Sequence, residues 1–371
     1  MIAESNKKTK FEDYYKLIES LGRKPIQPQS CGTFVAVGME ISTRKLYAVK
    51  LMQKSVTEAD SFGAKQLDSS GMKTIGHLLN LDHKHLVKLR ETFETPFSLH
   101  IVVELANGEQ LFRRLTEFPV YNEKMIVHYF RQVVDGIRYL HEYGIIHRNL
   151  KPENILLSTR KPDAIVKITD YSPQSFTTGD LDLELVCVTT IFCAPELLLS
   201  RRYDKAVDLW ALGILLYIML CGSDPYKSKT NSDLYYAILH CDIELQSTIW
   251  KSISSSGKDV VKRLLMIDPK FRIITPYLLK HQWFIEGNKS IQHLDLVQEN
   301  LDSFNKQRSE KYSNMEYKQE DWITSEYLKL PRRNSKSIPM EESDEDIKPE
   351  TVAHKRIDQP LLKESPKTTD E

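Results

Sequence analysis

His147-Arg148-Asn149-Leu150-Lys151-Pro152-Glu153-Asn154 lies where the pattern of the chain changes, and its reading decides the fold. Before it come short β-rich runs. Lys45-Leu46-Tyr47-Ala48-Val49-Lys50-Leu51 alternates with a period of two, and Leu99-His100-Ile101-Val102-Val103-Glu104-Leu105 is a second such run. Between them, apolar residues from Gly71 to Leu81 fall at helical spacing. From Asn122 the chain turns mostly helical. Ile126, Tyr129, Phe130, Val133, Val134, Ile137 and Leu140 recur at three and four residues, which predicts one long amphipathic helix ending before Gly144. Lys205–Cys221 is apolar nearly all round and predicts a central buried helix. Within the octapeptide, Asn149 is a neutral amide: it can hydrogen-bond a hydroxyl but has no useful basicity near neutral pH.

Composition narrows the function classes. The 371 residues allow two lobes plus extra segments. Lys plus Arg equals Asp plus Glu at 51 each, so no global charge points to nucleic acid or an anionic membrane. The longest apolar stretch, Leu209–Leu220, is too short to span a bilayer, and the polar stretch Met1–Lys10 lacks the apolar core of a signal peptide. Cys31, Cys187, Cys193, Cys221 and Cys241 are scattered without C-x-x-C spacing, so neither a zinc site nor a disulfide framework is expected. A reducing setting, cytoplasmic or nuclear, is the corresponding expectation.

The octapeptide resembles the H-R-D-L-K-P-E-N catalytic loop of protein kinases, with Asn149 in place of the Asp. Other motifs follow in the same order. Tyr47-Ala48-Val49-Lys50 resembles V-A-I-K, Asp170-Tyr171-Ser172 stands where D-F-G belongs, and Ala194-Pro195-Glu196 is A-P-E unchanged. Asp208-Leu209-Trp210-Ala211-Leu212-Gly213 resembles the D-x-W-x-x-G of a large central helix, and Arg272 is similar to the Arg that pairs with the A-P-E Glu. Tyr139-Leu140-His141 and Leu279-Lys280-His281-Gln282-Trp283-Phe284 are most similar to the calcium/calmodulin-dependent kinase group. The resemblance implies an α+β, bilobal protein kinase fold over residues 14–284, with a small β-rich N-lobe (14–105) and a larger helical C-lobe (106–284). Residues 1–13 are then an N-terminal extension, 285–330 a polar extension able to hold a helix, and 331–371 a tail expected to be disordered from its Ser, Pro and charge content.

The resemblance also assigns roles. Lys50 would contact the α- and β-phosphates of ATP, and Val35, Ala48, Val103 (as gatekeeper), Glu104 and Leu156 would line the nucleotide pocket. Glu109 would touch ribose or a basic substrate, or else be a solvated surface acid. Asp170 and Asn154 match the residues that hold Mg²⁺, and Lys151 would meet a γ-phosphate. Glu196 with Arg272, and Asp208 near the catalytic loop, would hold the large lobe together, and His147 would be a packed core histidine.

Against this stand three departures. Asn149 occupies the place of the base, whose assistance is typically worth ~10²–10⁴ in rate. Counting back from Leu81-Asp82-His83 puts Thr74 where a Glu should hold Lys50, with Glu58 too early to serve. The glycine-loop positions fall at Pro28, Ser30 and Thr33, although Gly22 and Gly32 remain nearby; Pro has no N–H to offer phosphate, and Thr is stiff. Apart from these three, Ser172 for Gly removes a permissive hinge. The expectation is a pseudokinase with impaired phosphoryl transfer and weakened ATP binding, acting as a signalling scaffold; the alternative is an active or weakly active Ser/Thr kinase. Protein partners in signalling are implied. Calmodulin enters as a candidate through the position of Ile285–Lys318, which lacks a clear basic amphipathic pattern. Thr177, Thr178, Ser335, Ser343 and Ser365 are weak phosphorylation matches.

Overall fold

The computed structural model describes residues 10–20, 33–53, 78–95, 98–171, 191–199, 201–226, 228 and 230–315. Five strands, β1 (Tyr15–Ser20), β2 (Thr33–Glu40), β3 (Leu46–Gln53), β4 (Leu89–Glu94) and β5 (Ser98–Glu104), form an antiparallel sheet in the order β1-β2-β3-β5-β4. Alternation along each strand separates its two faces. Tyr47, Val49, Phe93 and Val102 lie in one cluster, capped by Phe11 and Tyr15 from the chain start. Phe11 stacks on His100 with ring centroids 4.5 Å apart. The other face carries Val35 opposite Lys50 and Ala48 opposite Val103. These four side chains are only half-buried, as residues lining an open cleft should be.

Gly108 fixes how the sheet hands over to the helical half. Its N–H donates to Leu157 O at 2.9 Å, and a Cβ there would sit 2.2 Å from Thr159 O. Only glycine permits that approach. The small hairpin β6 (Ile155–Leu157) and β7 (Val166–Ile168) follows, so the catalytic-loop sequence runs directly into the floor of the cleft. Val87 N–H donates to Ile168 O at 2.9 Å and Ile168 N–H to His85 O at 2.8 Å, tying the chain ahead of β4 to this hairpin.

Helix α1 (Glu123–Glu142) starts on an Asn122 cap, whose side chain accepts from Met125 N–H, and ends before Gly144, a left-handed residue with φ of 77°. Its predicted apolar stripe is buried. Helix α2 (Ala206–Cys221) has every residue buried, as its all-round apolar sequence requires. Helix α3 (Asn231–His240) joins the same core through Ile238, and α4 (Ser255–Leu264) and α5 (Asp295–Met315) pack on α2. Packing continues past the expected boundary at Phe284: Leu294, Val297, Leu301 and Phe304 are buried against the large lobe. Gly222, left-handed at φ 77°, caps α2 and passes so close to α5 that a Cβ would meet Val297 O at 2.2 Å. A five-stranded antiparallel sheet feeding a helical lobe is the expected bilobal α+β arrangement. Residues 54–77, including the residues from Gly71 expected to be helical, and the tail 331–371 lie outside the described residues, as do residues 1–9. No described helix is long and apolar enough to cross a membrane.

Candidate functional site

The catalytic loop is held from below by a buried carboxylate. Asp208, near the start of α2, accepts from the N–H groups of His147 and Arg148, each at 2.8 Å, and pairs with His141 Nε2 at 2.8 Å. Burial alone would raise its pKa; the hydrogen bond and charge of His141, helped by His147, hold it below the usual carboxylate range. With both N–H groups pinned, Arg148 takes a left-handed φ of 65° and the loop turns upward. His147 is itself buried. Its Nδ1 accepts from Asn149 N–H at 3.3 Å, so Nε2 carries the proton and donates to Thr169 O at 3.0 Å. Burial pushes its pKa down, against the pull of Asp208 and Asp170, and the ring is a neutral brace rather than a base.

Above this loop stands a second carboxylate. Asp170 also has a left-handed backbone, at φ 66°, which aims its side chain into the cleft. Lys50 Nζ meets Oδ1 at 2.5 Å and Asn149 Nδ2 donates to Oδ2 at 2.6 Å. Asn154 Nδ2 reaches the same Oδ2 at 3.5 Å while donating to the backbone Asn149 O at 2.6 Å. Burial opposes ionisation of Asp170, but the Lys50 charge and hydrogen bond, with His147 and the Asn149 amide, keep its pKa below the ordinary value. Of the residues expected at the site, Lys50, Asn149, Asn154 and Asp170 therefore meet in one cluster.

The walls are apolar. Val35, Ala48 and Val103 face the cleft from the sheet, and half-buried Leu156 stands on β6. Lys151 is half-exposed on extended backbone at the loop edge. Glu104 turns its carboxylate to Lys167 at 2.8 Å and accepts from Lys88 N–H at 3.2 Å, leaving its backbone at the cleft rim. Glu109 adopts φ of 75° and pairs with Arg160, so its acid is engaged by the C-lobe surface. Tyr171 reaches across to donate to Val87 O, and burial raises its pKa. Thr33 begins β2; Pro28, Ser30, Gly22, Gly32, Thr74, Glu58, Ser172, Thr177 and Thr178, with Ser335, Ser343 and Ser365, lie outside the described residues.

The architectural pair is present. Arg272 clamps Glu196 through two bonds of 2.5 and 2.7 Å, with both side chains buried, and donates further to Ala206 O, Met266 O and Ile267 O. Three contacts escaped sequence reasoning. Lys167 with Glu104 and His141 with Asp208 carry no local signal, because each pairs residues more than sixty positions apart. Arg308 of α5 pairs with Glu153 of the catalytic loop at 2.7 Å, a contact that depends on how α5 docks.

Comparison with known proteins agrees with this geometry. Residues 31–284 match the protein kinase domain. The chain is 35% identical over 307 residues to calcium/calmodulin-dependent protein kinase type IV of Rattus norvegicus, covering 82% of this chain and 61% of that protein. It is 38% identical over 209 residues to human calcium/calmodulin-dependent protein kinase type 1B, covering 56% of this chain and 61% of that one. Similarity to myosin light chain kinase A of Dictyostelium discoideum reaches 31% over 289 residues, 78% of this chain and 94% of the other. The chain spans about three fifths of the length of the type IV kinases it matches.

Proposed function

The chain belongs to the protein kinase family, in its calcium/calmodulin-dependent group, and from that premise we propose that it is a pseudokinase: a kinase-shaped signalling module in which phosphoryl transfer is impaired. One observation carries the reading. The side chain in the base position is an amide, and it spends its N–H on Asp170 at 2.6 Å instead of awaiting a substrate hydroxyl. An amide pointing its nitrogen into the site can neither accept nor store the departing proton.

The cleft suits an adenine nucleotide in its apolar part, where Val35, Ala48, Val103 and Leu156 would contact the base and Lys50 the phosphates. Among the described residues Lys50 pairs with Asp170, so nucleotide would have to share that ammonium. For Mg²⁺ the fit is poor. Both Asp170 oxygens already accept from nitrogen donors, and Asn154 turns its nitrogen, not its oxygen, toward them.

The partners of such a module are other signalling proteins. Calmodulin comes to this chain through the names of its relatives, and α5 lies within Ile285–Lys318, the segment that the resemblance nominates for it. Because Val297, Leu301 and Phe304 are buried against the large lobe, calmodulin would need to peel α5 away before gripping its apolar face.

Phosphate transfer from labelled ATP, measured for the natural chain and for Asp170→Ala, tests the reading. Transfer at least about a hundredfold below the ordinary 1–100 s⁻¹ of kinases, and insensitive to Asp170→Ala, is expected. Ordinary turnover that disappears in Asp170→Ala would establish an active Ser/Thr kinase instead.

A further inference from the structure

Asp170 offers two oxygens to the cleft, and its neighbours meet both with hydrogen-bond donors: Lys50 on Oδ1 at 2.5 Å and Asn149 on Oδ2 at 2.6 Å. The orientation of Asn149 is dictated by chemistry. An ionised carboxylate only accepts, so the amide must present Nδ2–H to it. Asn149 is fixed at both ends, since its backbone N–H donates to His147 Nδ1 and its backbone carbonyl accepts from Asn154 at 2.6 Å. That second bond also commits the Asn154 amide nitrogen, whose other contact is Asp170 Oδ2 at 3.5 Å.

Among the described residues the charge balance of this cluster is closed. One carboxylate is matched by one ammonium, and the remaining lone pairs face amide hydrogens. A divalent cation approaching Oδ2 would meet the positive end of the Asn149 amide dipole. An Asp in that position would do the opposite: two carboxylates facing one another at this range repel and draw a cation between them. The same substitution that removes the base therefore also alters the ion position.

We propose that Asn149 is an amide latch on Asp170: it fills the place of the divalent cation, so that the cleft takes an adenine nucleotide without its metal ion. Lys50, keeping one of its three N–H groups on Asp170 Oδ1, and Lys151 supply the positive charge to the phosphates that the ion would otherwise bring. Asn149 is thus a positioning residue acting through Asp170. This inference rests on the reading of the cleft as a nucleotide site.

The experiment is an ATP titration of the full chain by calorimetry, once in EDTA and once in millimolar Mg²⁺, repeated with Asn149→Ala and Asn149→Asp. For the natural chain the two dissociation constants should agree within about twofold. Asn149→Ala frees Oδ2, and Mg²⁺ should then tighten ATP by about tenfold, the order of one charge-assisted hydrogen bond. Asn149→Asp, which keeps the shape and adds a carboxylate, should show a larger metal effect. A structural role alone would not change the metal dependence. Should Mg²⁺ tighten ATP for the natural chain as strongly as for Asn149→Ala, the latch is overturned while the nucleotide reading stands. Should no protein bind ATP in either condition, the nucleotide reading fails and the latch with it. If Asn149→Ala melts too low to titrate, the natural chain against Asn149→Asp still decides: equal metal dependence in both sinks the proposal.

Discussion

Asp208, beneath the catalytic loop, and Asp170, above it, are both carboxylates of the large lobe, and they show two different fates of the same chemical group. Asp208 is 1% exposed and gives its oxygens to two backbone N–H groups and one imidazole, all at 2.8 Å. Everything it touches is needed to shape the catalytic loop. Asp170 is 28% exposed and gives its oxygens to Lys50 and to Asn149, which stands where the resembled catalytic loop carries an Asp. The first site retains its full complement of partners; the second has had its complement rewritten. A carboxylate that organises backbone is bound to the fold, whereas one that organises a reaction can be re-partnered while the fold survives.

This contrast can be broken by mutation. Asp208→Ala should be the most damaging change, because it strands two buried N–H groups and an imidazole; about 3–5 kcal/mol of unfolding free energy should be lost in a denaturant titration. Arg272→Ala belongs to the same class, leaving Glu196 buried and unpaired. If Asp170→Ala cost as much as Asp208→Ala, the distinction between the two acids would be gone.

Acid should come next in size. Burial holds the His85 imidazole at about 4 in the folded chain, against 6.5 when unfolded. Since the folded value is the lower one, the unfolded state binds the extra proton first. Stability is therefore complete above about pH 6.5 and falls as pH drops toward 4. By pH 5 the loss from this residue alone should be ~2 kcal/mol, read as a lower denaturation midpoint. A His85→Gln variant should flatten part of that fall. His147, also pushed down by burial, adds to the loss in the same direction.

Smaller effects sharpen the other half of the comparison. Asp170→Ala should change stability by about 1 kcal/mol or less, because water can reach Lys50, itself 27% exposed. Arg308→Ala, which opens the partly exposed pair with Glu153, should cost still less, about 0.5 kcal/mol. A thermal melt of each against the natural chain checks both.

Much of the frame could be read from sequence because its signals are local. The periodicity from Ile126 to Leu140 is a helix stripe whichever protein carries it, and the unbroken apolar run after Lys205 has only a buried place to go. Lys50 on its strand and Asp170 after its hairpin were legible through the resemblance to kinase motifs, which implied that they share a site with Asn149 and Asn154; the structure brings the four together. The direction of the Asn149 amide was not legible. It depends on which oxygen of Asp170 stands free and on the charge of that group, neither of which has a sequence period. Glu109 shows the same limit: its pairing with Arg160 depends on a left-handed turn at a non-glycine residue. The seat of α5 is a tertiary fact, set where Gly222 makes room for it.

That seat bears on how the protein can be handled. A chain cut at Phe284 would lose α5 and leave bare the apolar trough now filled by Val297, Leu301 and Phe304, while the carbonyls of Thr116, Phe118 and Phe112 would lose the amides of Gln298 and Asn305. Such a trimmed protein should self-associate on that sticky surface, and any shortened version meant for biochemistry should run at least to Met315.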